Sequence, residues 1–297
     1  MKTTLTSITA TVLVLALTLA YGAEPWKLDI NANVTTTINS YSDSWIGGEA
    51  GSFTWGSQFI GIAERQLQNK LNTKTTLKLQ FGQTKVQNNT TKRWGAPEKS
   101  TDLIDAEELL RYTTGAWFDP FASARVISQF QDNRDALIVR YVNPLDITEA
   151  LGVSRTLRKN DIMDWSTRIG VAARQLVDRK HLDPANGKRT TDVTNDGGLE
   201  LSMNLKAENA QKWLKFLSSL TLYEALLSSK AEEAQGTVAA DYWRYPHLKW
   251  ENSLSLSLAK YIMLNVSAYA FYDRDISNKL RLKEIFSVGL TYNFSKK

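Results

Sequence analysis

A strict period of two recurs along this chain and limits what it can fold into more than any other feature. In residues 28–39, Leu28, Ile30, Ala32, Val34, Thr36 and Ile38 alternate with Asp29, Asn31, Asn33, Thr35, Thr37 and Asn39. Successive side chains of a strand point to opposite faces, so one face meets an apolar medium and the other a polar one. The pattern returns in Phe53, Trp55, Phe59 and Ala63 set against Ser52, Thr54, Gln58 and Glu64. It returns again in Leu71, Leu77, Leu79 and Phe81 against Asn72, Lys74, Lys78 and Gln80. Leu199, Leu201, Met203 and Leu205 oppose Glu200, Ser202, Asn204 and Lys206, and Trp250, Leu254, Leu256 and Leu258 oppose Glu251, Ser253, Ser255 and Ser257. The last segment sets Phe286, Val288, Leu290, Tyr292 and Phe294 against Ser287, Gly289, Thr291 and Asn293.

Weaker alternation marks strands at 104–112, 117–130, 147–155, 165–174, 213–226 and 264–272. The sum is about twelve strands of roughly ten residues or more, the length of a tilted membrane crossing. Residues 213–226 are apolar on both faces and have no clear phase. Glu108 and Glu149 fall on the apolar side of their strands, which places them near a rim or out of phase. No segment carries a convincing helical period.

The links between these strands alternate in length. Short ones fall near 66–70, 113–115, 157–161, 208–211 and 259–261, and longer ones at 40–50, 85–101, 131–144, 177–196, 228–245 and 273–279. Such alternation is expected of an all-β, transmembrane up-and-down antiparallel barrel, with turns at one rim and loops at the other. An even strand number puts both chain ends at the short-turn rim. Trp26, Tyr112, Trp117, Trp165, Trp213, Tyr261, Tyr292 and Phe294 all fall at that rim, where amphipathic rings suit a membrane interface. Tyr41, Trp45, Phe130, Trp243, Tyr245 and Tyr272 lie towards the other.

Composition fits this reading. The chain is 42% hydrophobic and 23% charged, as expected when lipid-facing and lumen-facing residues average out. The net charge of +5 comes without a dense Lys/Arg block, which argues against a nucleic-acid partner. With no cysteine there is no disulfide framework, thiolate site or cysteine nucleophile. Lys2, the apolar run 8–20 and the small residues Ala20, Gly22 and Ala23 read as a secretory signal peptide over residues 1–23, cleaved after Gly22 or Ala23. The alternative is an uncleaved anchor, for which the run is short. Residues 24–297 then form one barrel domain in a Gram-negative-type outer membrane, surrounded by lipid and monomeric by default.

Two resemblances add to this. The last strand, Ser287-Val288-Gly289-Leu290-Thr291-Tyr292-Asn293-Phe294, resembles the C-terminal signal read by barrel-assembly machinery, although Ser295, Lys296 and Lys297 follow the final aromatic. The stretch 40–48 (SYSDSWIGG), with 99–102 (KSTD), 143–145 (NPL), 148–152 (TEALG) and 272–275 (YDRD), resembles an uncharacterised family of bacterial outer-membrane barrels. That resemblance implies a fold and a location and brings no catalytic residues.

Chemistry is sparse. A lipid hydrolase needs a serine within reach of a histidine base. The only histidines are His181 and His247, and Ser253, Ser255 and Ser257 lie too far along the strand that follows His247, so only a serine on a neighbouring strand would serve. His181 with Asp183 is too small a metal set, and Asp273 with Asp275 offers at most weak Ca²⁺ binding. No cofactor, metal or enzymatic activity is expected. The polar faces instead supply lumen candidates: Lys74, Lys78, Asp105, Glu107, Arg111, Arg125, Arg168, Arg174, Glu200, Lys206 and Glu251. Charges in a narrow barrel must pair or be solvated. The expected function is a passive channel or binding barrel for small hydrophilic solutes, with a slight preference for anions. The alternatives are a structural or surface-interaction barrel with a filled lumen and, third, a lipid-modifying enzyme. The apolar run 136–139 sits oddly in a loop and is expected to extend a strand, enter the mouth or touch lipid.

Overall fold

The computed structural model describes residues 25–42, 50–135, 137–182, 187–233, 236 and 241–296. The proposed signal peptide, most of the 40–48 motif with Trp45, and the side chain of His181 lie outside these residues. Twelve antiparallel strands close into a barrel: β1 (Lys27–Asn39), β2 (Ser52–Gln68), β3 (Leu71–Val86), β4 (Glu98–Tyr112), β5 (Asp119–Ser128), β8 (Leu145–Lys159), β9 (Met163–Leu182), β10 (Arg189–Glu208), β11 (Leu214–Ser228), β12 (His247–Ala259), β13 (Ile262–Asp273) and β14 (Ser277–Lys296). A two-stranded hairpin, β6 (Gln131–Asp132) and β7 (Arg140–Tyr141), interrupts the order between β5 and β8. Each barrel strand otherwise pairs with its sequence neighbours, and β1 closes on β14 from Leu28↔Lys296 to Thr35↔Gly289.

The register fixes the faces. Leu151, Val171, Leu282, Phe286 and Leu290 stand on the outside and are 61–72% exposed. Their period-two partners point inward, where ion pairs join strands that are not neighbours. Closure explains why such alternation is stable: every strand edge is paired, so the wall can present an apolar outer surface without open backbone groups. Glu108 and Glu149 belong to the outer face, paired in register with Ala124 from either side, so their strands are correctly phased. Glu108 bends onto the hydroxyls of Thr73 and Thr75 on β3. Glu224 and Glu284 also point outward and are exposed.

Three expectations are corrected. The links are not strictly short and long in turn: β13 and β14 are joined by residues 274–276 alone, and β9 and β10 extend to Leu182 and from Arg189, shortening the expected 177–196 loop. Long strands that pair beyond the apolar belt replace loop with ladder. Residues 137–139 extend no strand; they cap the β6–β7 hairpin, with Leu137 80% exposed. The two-sided apolarity of β11 has a packing cause. Leu214, Phe216, Leu220 and Leu222 face out, while Tyr223 faces in and joins Phe121, Ala150, Ala172 and Ala225 in a small apolar cluster on the inner wall. Trp243, in the helical turn Tyr242–Arg244, packs against this cluster, so that turn reaches into the barrel mouth.

The short-turn rim is built from local hydrogen bonds. At 209–213 the Asn209 side-chain oxygen accepts from the Leu214 amide at 2.9 Å and its carbonyl accepts from the Lys212 amide at 2.9 Å, with Lys212 at a φ of 60°, which reverses the chain. All eight aromatics expected at this rim lie at or near the strand ends there, with Trp117 stacked under the Arg155 guanidinium at 4.1 Å. On the other rim, Asp132, Arg134, Arg140, Asn143 and Asp178 pin the hairpin to β9 through ion pairs and amide hydrogen bonds of 2.8–3.4 Å. Burial pushes the Asp132 carboxyl up, but hydrogen bonds from Arg134 and Asn143 outweigh it and hold its pKa well below the usual carboxylate range.

Candidate functional site

The inside of the barrel is the candidate site, and all eleven charged residues expected there lie on the inner face by register. At mid-height, β3, β4, β5 and β12 contribute one connected group. Arg125 grips Asp105 with two hydrogen bonds, 2.8 and 2.7 Å. Lys78 reaches Glu251 at 3.0 Å and Asp105 at 3.9 Å, and Lys249 reaches Glu251 at 3.2 Å and Asp105 at 3.8 Å. Because β3 and β12 are not neighbours, the Lys78–Glu251 pair crosses the lumen. Beside it, Arg168 holds Glu107 at 2.7 Å and lies over the Phe121 ring at 5.5 Å. Paired charges of this kind stay folded because each is compensated; removing one partner strands the other.

A second crossing lies nearer the short-turn rim. Asp29 of β1 meets Lys206 of β10 at 3.1 Å and Lys215 of β11 at 3.8 Å, and Glu208 binds both lysines at 3.1 and 3.9 Å. Towards the loop rim, Arg174 chelates Asp146 at 2.7 and 2.9 Å and contacts His247 Nδ1 at 2.9 Å, while Asp273 lies 3.5 Å from the same nitrogen. Lys283 of β14 reaches the Ser100 carbonyl and Thr101 hydroxyl of β4 at 3.4 and 3.3 Å. Arg111 donates to Thr156 at 3.3 Å near the short-turn end. Lys74 and Glu200 form no ion pair among the described residues.

Sequence inspection missed Asp29, Asp146, Lys215, Lys249 and His247 as lumen residues. Lys249 was legible, two positions before Glu251 and so on its face. Asp29 was legible too, on the polar face of the first alternating segment; Asp146, Lys215 and His247 depended on strand limits or on a phase the sequence does not give.

Two cavities flank the mid-height layer. One, of about 210 Å³, opens at the short-turn rim among Lys27, Glu64, Asn72, Arg111 and Lys159. The other, of about 170 Å³, lies on the loop side above Arg125 and Lys249. Among its wall residues, Glu200, the exposed Arg281 and the hydroxyls of Thr148, Thr221 and the buried Tyr223 make no hydrogen bond or ion pair among the described residues. His247, Asp273 and Asp275 converge with ligand atoms within 4.8 Å of one another. Arg174 already donates to His247 Nδ1 and Lys230 pairs with Asp275 at 3.5 Å, so cationic side chains fill the places a metal would take. No serine hydroxyl is among the hydrogen-bond partners of His247 in the described residues.

The chain is thus a closed twelve-stranded barrel, apolar outside and charged within. No family model matches it and no curated protein matches it. Among solved structures it is similar to the COG4313 outer membrane channel from Pseudomonas putida F1, at 13% identity over 93% of this chain and 98% of that one, with a TM-score of 0.44. It is also similar to the translocator domain of the autotransporter NalP from Neisseria meningitidis, at 11% identity over 95% and 92%, with a TM-score of 0.36. A third is OprB from Pseudomonas putida, at 8% identity over 91% and 94%, with a TM-score of 0.30. These neighbours are outer-membrane barrels.

Proposed function

We propose that this protein is an outer-membrane barrel that takes small hydrophilic solutes into a lumen constricted by paired charges. The observation that carries the reading is the layer of Lys78, Asp105, Arg125, Lys249 and Glu251, with a polar cavity on its short-turn side and a cavity of mixed apolar and charged lining on its loop side. A barrel that served only as a rigid display platform would gain nothing from cavities flanking a charge layer, and apolar residues would fill it at lower desolvation cost. The exposed apolar outer wall and the aromatics at one rim support lipid as the surrounding medium. The last strand, with its alternating Val288, Leu290, Tyr292 and Phe294, supports recognition by barrel-assembly machinery. The barrel acts as a monomer and uses no catalytic group.

Planar-bilayer recording of the purified chain tests this. Wild type gives a small, discrete conductance, and a Lys78→Met, Glu251→Gln variant, lacking the strut across the lumen, gives a larger one. Absence of any step from both proteins, each showing the heat-dependent gel mobility of a folded barrel, would sink the channel in favour of a filled structural barrel.

A further inference from the structure

The loop-side cavity differs from the rest of the lumen in what it leaves unpaired. Among its wall residues, Arg174 is committed to Asp146 and Arg125 to Asp105, each through two hydrogen bonds. Lys249 is shared between Glu251 and Asp105. Five groups remain without a partner among the described residues: the Thr148 and Thr221 hydroxyls, Glu200, the solvent-exposed Arg281 and the Tyr223 hydroxyl. Glu200 on β10 has no hydrogen bond or ion pair among the described residues. Arg281 on β14, paired in register with Phe271, likewise makes none. Tyr223 is only 6% exposed, yet its hydroxyl has no partner. A buried hydroxyl left unsatisfied costs about 1–3 kcal/mol, and native structures keep such groups where something else supplies the bond.

These groups form a set. Glu200 offers a carboxylate, Arg281 a guanidinium and Tyr223 a neutral hydroxyl, while Ile127 and Phe271 add apolar contact. A simple anion would leave Glu200 unmatched and repelled, and a simple cation would do the same to Arg281. At about 170 Å³ the space falls below the roughly 300 Å³ at which drug-sized sites begin. We infer that this cavity binds a small zwitterion of the amino-acid class, its ammonium on Glu200 and its carboxylate on Arg281, with a modest apolar side chain against Phe271. Tyr223 completes the site by hydrogen bonding to the carboxylate. The inference rests on the lumen being a solute site and specifies the solute class.

Isothermal titration of the purified barrel in detergent with L-leucine tests it, beside 4-methylpentanoate, which lacks the ammonium, and 3-methylbutylamine, which lacks the carboxylate. Leucine binds saturably, and each analogue binds at least about tenfold more weakly, the scale of one charge-assisted hydrogen bond. Glu200→Gln weakens leucine but not 4-methylpentanoate; Arg281→Gln weakens leucine but not 3-methylbutylamine. Each variant is first checked for heat-dependent mobility. The inference is overturned if leucine shows no saturable binding to a barrel that still conducts, or if either analogue binds as well as leucine. Leucine binding by a barrel that never conducts would instead remove the channel and keep the site.

Discussion

The mid-height layer and the cavity just above it are built from the same residue types on the same inner wall, yet they treat charge in opposite ways. In the layer each carboxylate has a cationic partner, and Asp105, with its side chain only 3% exposed, has three. Further along the wall, Glu200 and the solvent-exposed Arg281 line one cavity and pair with nothing among the described residues. Geometry accounts for the difference. Lys78 and Glu251 come from strands on opposite sides and meet in the middle, whereas Arg168 and Arg125, whose charges reach Glu200, are already committed to Glu107 and Asp105. Paired charge closes a lumen and unpaired charge leaves a place for something to bind.

The largest effect expected from breaking this comparison is at Asp105. Asp105→Ala strands the buried Arg125 guanidinium and costs about 3–5 kcal/mol of barrel stability, read as a fall in the temperature at which gel mobility shifts. Glu200→Gln, on the same wall, changes that temperature little, since no partner is abandoned; an equal fall at both sites would erase the distinction between layer and cavity.

Acid supplies a further contrast, outside the barrel wall. Asp132 has its pKa lowered in the folded hairpin, so its contribution is present above the ordinary carboxylate value of about 4 and is lost as pH falls through the lower folded value. Protection factors of the amides around Asp132, corrected for the intrinsic pH dependence of exchange, therefore fall progressively as pH drops below the ordinary carboxylate value, and Asp132→Asn removes most of that pH dependence. The smallest effect lies on the outer face, where Glu284 is exposed between Leu282 and Phe286. Glu284→Leu raises stability in lipid by about 1 kcal/mol or less, the scale for an acidic residue on a barrel's outer face; a loss instead would show that Glu284 meets something other than lipid.

The sequence by itself determined the class of fold, because period two repeated over about twelve segments has few stable solutions other than a closed sheet with unlike faces. The eleven charges picked from the sequence lie on the inner face by register, since face depends only on parity within a strand. The sequence could not phase β11, whose inner face is apolar because it meets Phe121 and Ala150 from other strands. It also could not tell that β9, β10 and β14 extend through expected loops, as extra ladder is stabilised by the neighbouring strand rather than by local pattern. Which charge meets which was decided by the tertiary structure alone. Lys78 and Glu251 are 173 residues apart, and only closure of the sheet brings β3 to face β12 across the lumen.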